Sequence, residues 1–310
     1  MSFNDNADLD TSQVEGGGGG GGMFGGGMPG GGIAVGGGAG GILLLILYFV
    51  FGGLSDSGGG SSTSPGQLQQ GQVQAGGSQG GDFSQCRTGA DANRDAQCRV
   101  IGTVNSVQAY WATELPRHGT AYSPANTVLY SGSRRYSCGT ASNQVGPFYC
   151  PLDRKVYIDA SFFNELTSRF GADDGALAQE YVVAHEYGHH VQDLLGVLDA
   201  AQSDPQGAES GAVRVELMAD CLAGVWARHA TETKDAQGDA FLRPLTQKDI
   251  ASALSAASAV GDDRIQRAAQ GRVTPESWTH GSSAQRQRWF TTGYQSGALD
   301  SCDTLNAATL

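Results

Sequence analysis

The chain has 310 residues with 31 acidic and 19 basic side chains, a formal net charge of −12. A surface of that sign does not gather phosphates, so nucleic acid is excluded as a partner. Glycine, at 48 residues, is concentrated ahead of Asp82, while every Lys and Arg lies from Arg87 onward; the chain divides into a leader and a body large enough for one sizeable core.

Residues 1–29 read as a glycine-rich, disordered tail. Residues 30–54 carry no charge and close on the apolar run from Ile42 to Phe51. As a helix they would measure roughly 37 Å at about 1.5 Å per residue, enough for one transmembrane anchor. A basic n-region and an Ala-x-Ala cleavage site are both missing, which favours an anchor over a signal peptide. Residues 55–82, rich in Gly, Ser and Gln, read as a flexible linker. With no basic residue near the span, charge gives no orientation. Six cysteines, none in a Cys-x-x-Cys knuckle, point to disulfides in an oxidising compartment. Sequence alone does not choose among their pairings; the expected set is Cys86–Cys98, Cys138–Cys150 and Cys221–Cys302. The expectation is a single-pass protein of the cell membrane with an extracytoplasmic domain over residues 83–310.

In that domain the apolar stripe through Val100, Ile101, Val104, Val107 and Trp111 predicts a helix over 94–115, stopped by Pro116. Short runs at 127–130, 148–150 and 155–158, parted by turn residues, predict a small sheet. Helical patterns follow at 161–170, 175–195, 208–229, 246–260 and 282–296. A few strands followed by helices indicate a mainly helical α+β domain.

The helix over 175–195 carries His185-Glu186-Tyr187-Gly188-His189. Residues four apart share a helical face, so His185 and His189 can offer imidazoles to one zinc ion with Glu186 beside it. A His-Glu-x-x-His-x-x-Gly-x-x-His continuation is excluded, because Gln192 and Leu195 stand where it needs Gly and His. The third ligand is sought downstream, where Glu216 and Asp220 lie four apart on an otherwise apolar helix; carboxylates there call for a cationic or hydrogen-bonding partner. Glu216 is assigned as the third ligand and Asp220 as acceptor from the other ring nitrogen of a ligand histidine. Cys221 is a weaker rival, wanted for a disulfide. Five positions from His185, His190 points roughly 140° away around the helix and is no ligand. His118 and His229 show no partners in the sequence. Gly188 weakens the helix by about 1 kcal/mol relative to Ala, which suggests close approach of another element or of a substrate.

Five segments, Val145–Pro151, Lys155–Asp159, Ala184–His190, Glu216–Trp226 and Thr279–Arg286, together resemble the neutral zinc metallopeptidases of bacteria, membrane-anchored proteins of gluzincin type. The resemblance implies a zincin-like metallopeptidase domain, one zinc ion and a peptide or protein substrate. Glu186 is then the general base acting on a zinc-activated water. His280, just before a helix start at Ser282, is the candidate for stabilising the oxyanion; Tyr157 is a weaker one, better suited to sheet packing. A membrane-tethered zinc scaffold and a zinc hydrolase of a non-peptide amide are the competing readings.

Overall fold

The computed structural model describes residues 2–17, 82–132, 134–141 and 146–310. Helices α1 (Gly89–Arg94) and α2 (Ala96–Glu114) replace the single helix expected over 94–115, because Asp95 takes an extended conformation and caps α2 by accepting from the Cys98 amide. A mixed four-stranded sheet follows, ordered β1 (Val14–Gly17), β2 (Asn126–Tyr130), β6 (Lys155–Asp159), β5 (Phe148–Cys150). The first three strands are parallel and β5 is antiparallel to β6. A separate hairpin joins β3 (Arg134–Tyr136) and β4 (Gly139–Ala141).

The remaining helices are α3 (Phe162–Ser168), α4 (Ala176–Leu195), α5 (Asp199–Ser203), α6 (Gly211–His229), α7 (Gln247–Ala259), α8 (Asp262–Gln270) and α9 (Ser283–Ser296). Helix α4 is buried from Tyr181 through Gln192 and packs against α2, α6, α7 and strands β5 and β6. Such a central helix can be apolar on most sides, which is why its polar residues stand out. Helices α6 and α9 cross at two glycines: a Cβ on Gly224 would lie 2.1 Å from the Phe290 carbonyl oxygen, and one on Gly293 would lie 1.9 Å from that of Cys221. The architecture is mainly helical with a small sheet, in agreement with the α+β expectation.

The leader departs from its expectation. Residues 2–17, read as the start of a disordered tail, form an arm packed on the domain, ending in β1 beside β2. Phe3 is fully buried in a slot left by Gly102, where a Cβ would come within 2.5 Å of its ring. Two side-chain amides grip the arm backbone: Asn93 exchanges hydrogen bonds with the Phe3 amide and carbonyl, and Asn105 does the same with Asp10. Ion pairs Arg243–Asp5 at 2.7 Å and Lys155–Glu15 at 2.8 Å fasten its two ends.

This packing corrects the expected localisation. The anchor expected at 30–54 lies outside the described residues, and no helix among the described residues is long and apolar enough to cross a membrane. Gly17 and Asp82 also belong to one folded body, so the sequences flanking 18–81 share one side of any bilayer. A single pass that separates the amino terminus from an extracytoplasmic domain does not fit that geometry.

Candidate metal centre

Two buried helices build the site. Helix α4 presents His185, Glu186 and His189; α6, started by the Ser210 side chain accepting from the Val213 amide, presents Glu216 and Asp220 across from them. The helices meet closely at Gly188, where a Cβ would lie 3.0 Å from Ala219 Cα and 3.0 Å from its carbonyl oxygen. Close approach of α6 therefore accounts for that glycine. His185 Nε2 lies 3.3 Å from Glu216 Oε2, and His189 Nε2 lies 3.4 Å from Glu216 Oε1. One ligand atom from each of the three residues falls within 4.8 Å of the others.

The hydrogen bonds behind the histidines set which nitrogens face inward. Gln192 Nε2 donates to the Val215 carbonyl at 2.6 Å, which turns its Oε1 toward His189 Nδ1 at 2.8 Å. An amide oxygen only accepts, so His189 Nδ1 carries the proton and Nε2 offers its lone pair. His185 Nδ1 donates to Asp220 Oδ1 at 2.9 Å, with the same outcome. Asp220 is in turn held by Arg286 of α9, whose Nε reaches Oδ2 at 2.8 Å and Nη2 reaches Oδ1 at 3.0 Å, and by the Tyr181 hydroxyl. Gln192, Tyr181 and Arg286 carry no role in the sequence reading. Only the charge pattern around Asp220 hinted that it needs a cationic partner.

His189 Nε2, Glu216 Oε2 and Glu186 Oε2 are buried without a hydrogen-bond partner among the described residues. Orphaned atoms converging in this way are costly unless something satisfies them. Two imidazole lone pairs and a carboxylate match the donor set that zinc takes, and the residues present fit that ion. A second cluster of metal-binding residue types among the described residues, Cys86, Asp95 and Cys98, is closed because its sulfurs are joined in a disulfide. All three disulfides, Cys86–Cys98, Cys138–Cys150 and Cys221–Cys302, follow the expected pairing, which removes Cys221 as a rival ligand.

Charge is arranged to favour a cation. Burial alone would raise the pKa of Glu216, yet His280, His189 and His185 hold it well below the usual carboxylate range. Burial opposes ionisation of Asp220 too, but Arg286 and His185 keep it low. Burial disfavours protonation of His185, but Asp220 and Glu216 raise its pKa to about 9; His189 is pushed by burial down to about 4. Proton and metal compete for the same inward nitrogens. Glu186 behaves differently: burial, reinforced by the Glu216 charge, raises it to about 7, although the Tyr149 backbone amide donates to it.

His280 Nε2 stands 3.9 Å from Glu216 Oε2, on the open side of the centre. Its loop is tied by Asp262 Oδ2, which accepts from the amides of Thr279, His280 and Gly281 at 2.8–3.0 Å. Gly281 adopts φ +86°, a conformation that favours glycine. His190 points away, with its ring nitrogens on the Tyr149 hydroxyl and the Ser123 carbonyl. Tyr157 bonds Asp153 and stacks on Phe148, a sheet contact. His118 sits on Glu114, and His229 meets Glu232 and the Gly297 carbonyl.

A buried His-His-Glu set with a second glutamate at its side, carried by two packed helices of an α+β domain, is a candidate metal centre. The chain belongs to the family described as "Putative neutral zinc metallopeptidase", whose pattern matches residues 5–305. Similar proteins include Uncharacterized protein Rv2575 of Mycobacterium tuberculosis, 57% identical over 232 residues covering 74% of this chain and 78% of that one. Uncharacterized protein Mb2605 of Mycobacterium bovis has the same figures. Uncharacterized protein YpfJ of Escherichia coli is 43% identical over 199 residues, 63% of this chain and 66% of its own. No solved structure matches.

Proposed function

We propose that the chain is a zinc-dependent peptidase of the gluzincin type. The observation that carries this reading is Glu186, whose buried Oε2 has no hydrogen-bond partner among the described residues while it stands beside three convergent ligands. A site that only holds metal for structure closes with four protein ligands. Here three converge, and cavities open on the other side.

His185, His189 and Glu216 would hold the ion, which when bound supplies Lewis-acid polarisation of a carbonyl and acidification of water. Glu186 Oε2 takes the proton of the attacking water and returns it to the leaving amine. Burial pushes the Glu186 carboxyl above the usual carboxylate range, a direction that suits a group which must be a base at one moment and an acid at the next. His280, facing the same opening, donates to the oxygen that gains charge. Asp220 and Arg286 keep His185 in the tautomer that binds.

The test is hydrolysis of a broad peptide library by the zinc-loaded full chain, read by mass spectrometry, beside Glu186→Gln. Cleavage by the wild type, about a thousandfold slower in the variant at equal zinc content, is the expected result. Equal rates in the two proteins, or zinc-loaded wild type that cleaves no peptide, would count against it.

A further inference from the structure

Glu186, His190 and Asp193 stand at positions i, i+4 and i+7 of α4, which sets them in one stripe along a single face of the helix. One residue of the neighbouring strand, Tyr149 of β5, meets all three. Its backbone amide donates to the Glu186 carboxylate. Because Glu186 Oε2 has no partner among the described residues, Oε1 is the oxygen that takes this bond. The Tyr149 hydroxyl donates to Asp193 Oδ2 at 2.8 Å and lies 3.1 Å from His190 Nδ1. The His190 ring is fixed in turn through Nε2, which donates to the Ser123 carbonyl at 2.7 Å.

The sheet does not by itself set β5 against α4. The strand has three residues, and its ladder runs to β6 alone among the described residues. Tyr149 is almost fully buried, and its hydroxyl supplies the missing link from strand to helix. Burial, with Asp193 beside it, raises the phenol above its ordinary range, so the hydroxyl stays a donor. A carboxylate held by one oxygen presents the other in a set direction. In Glu186 the free oxygen is the one that the proposed reaction uses, and a reacting group misplaced by about 1 Å can cost roughly a hundredfold in rate.

We infer that Tyr149 is a positioning residue: pinned to α4 by Asp193 and His190, it holds Glu186 Oε1 through its amide and so aims Oε2 at the water to be activated. This rests on the peptidase reading, and binding separates it from turnover. Tyr149→Phe keeps the ring and removes the hydroxyl. In zinc-loaded full chain it should lower kcat for a cleaved peptide about tenfold and leave KM within about twofold. Two inhibitors of one peptide sequence, a hydroxamate and a thiol, give a readout without turnover. The hydroxamate has N–H and O–H donors that a neighbouring carboxylate accepts, and a thiolate has none. Calorimetric titration should show the hydroxamate weakened about tenfold by Tyr149→Phe and the thiol unchanged; in a Glu186→Ala chain the same substitution should weaken neither further. Asp193→Ala, at a half-buried position, leaves Tyr149 whole but removes its acceptor. It should reproduce the pattern, and it serves if the phenylalanine variant melts early.

Equal loss of hydroxamate and thiol affinity, a raised KM with kcat unchanged, or an undiminished effect in the Glu186→Ala chain overturns the inference. So do wild-type values in both Tyr149→Phe and Asp193→Ala, or a wild type that binds neither inhibitor. A hydroxamate effect that depends on Glu186 in a protein that cleaves no peptide would count against the peptidase reading and leave the aiming of Glu186 by Tyr149 standing.

Discussion

At the level of single residues, the ligand pair was legible because helical periodicity alone places His185 and His189 on one face. Glu216 and Asp220 were legible because carboxylates on an apolar helix demand an explanation. Tyr181 and Arg286 were not, since they meet Asp220 only through tertiary packing, across 39 and 66 residues of chain. Glu180 was equally silent. It is fully buried, both its carboxylate oxygens lack a partner among the described residues, and burial raises its pKa to about 7, only partly offset by positive charges including Arg99. Its folded pKa lies above its unfolded value of 4.5. The stability that the neutral carboxyl contributes is therefore complete below pH 4.5 and lost as pH rises through 7. Glu180→Gln should be more stable than wild type by about 3 kcal/mol at pH 8 and should lose that advantage at pH 4.5. Denaturant titrations at the two pH values check this, and a pH-independent difference would show that the carboxyl is not forced to ionise in the fold.

Elements with a strong period were read nearly to their ends: α4, α6, α7 and α9 start and stop within a few residues of expectation. Those that the sequence concealed have weak periods. Helix α8 is nine residues long and mostly polar, with an apolar face of only Ile265, Ala268 and Ala269, and β1 runs into glycine. The arm was missed for the same reason, because its burial depends on one phenylalanine and on backbone gripped by Asn93 and Asn105, not on a pattern. Gly102 costs helix propensity in α2, and the slot it opens for Phe3 is the compensation. Phe3→Ala should destabilise the protein by about 3–5 kcal/mol, as for other fully buried aromatics. A loss under about 1 kcal/mol in equilibrium denaturation would mean that the arm rests on the domain without supporting it.

For the molecule as a whole, arm and domain form one folded body, and this is what removes the single-pass topology that the apolar run invited. Hydropathy reports that a segment could enter a bilayer; it says nothing of where its flanks fold. Cross-links constrain the same body unequally. Cys221–Cys302 closes 81 residues, against 12 for each of the others, and ties the carboxy-terminal segment to α6, where Arg214 also donates to the Thr304 and Ala307 carbonyls. On loop-closure entropy its removal by paired serine substitution should cost about 4.5 kcal/mol, against about 3 for Cys138–Cys150. The reverse order in denaturation experiments would show that strain or residual structure governs these bonds. Everything else depends on the pairing of α4 with α6 to assemble three ligands. Zinc stoichiometry of the purified full chain by elemental analysis, wild type beside Glu216→Ala, tests this most directly. One zinc per chain in the wild type and a clear loss in the variant is the expected result; full zinc in the variant, or none in a folded wild type, would contradict the assignment.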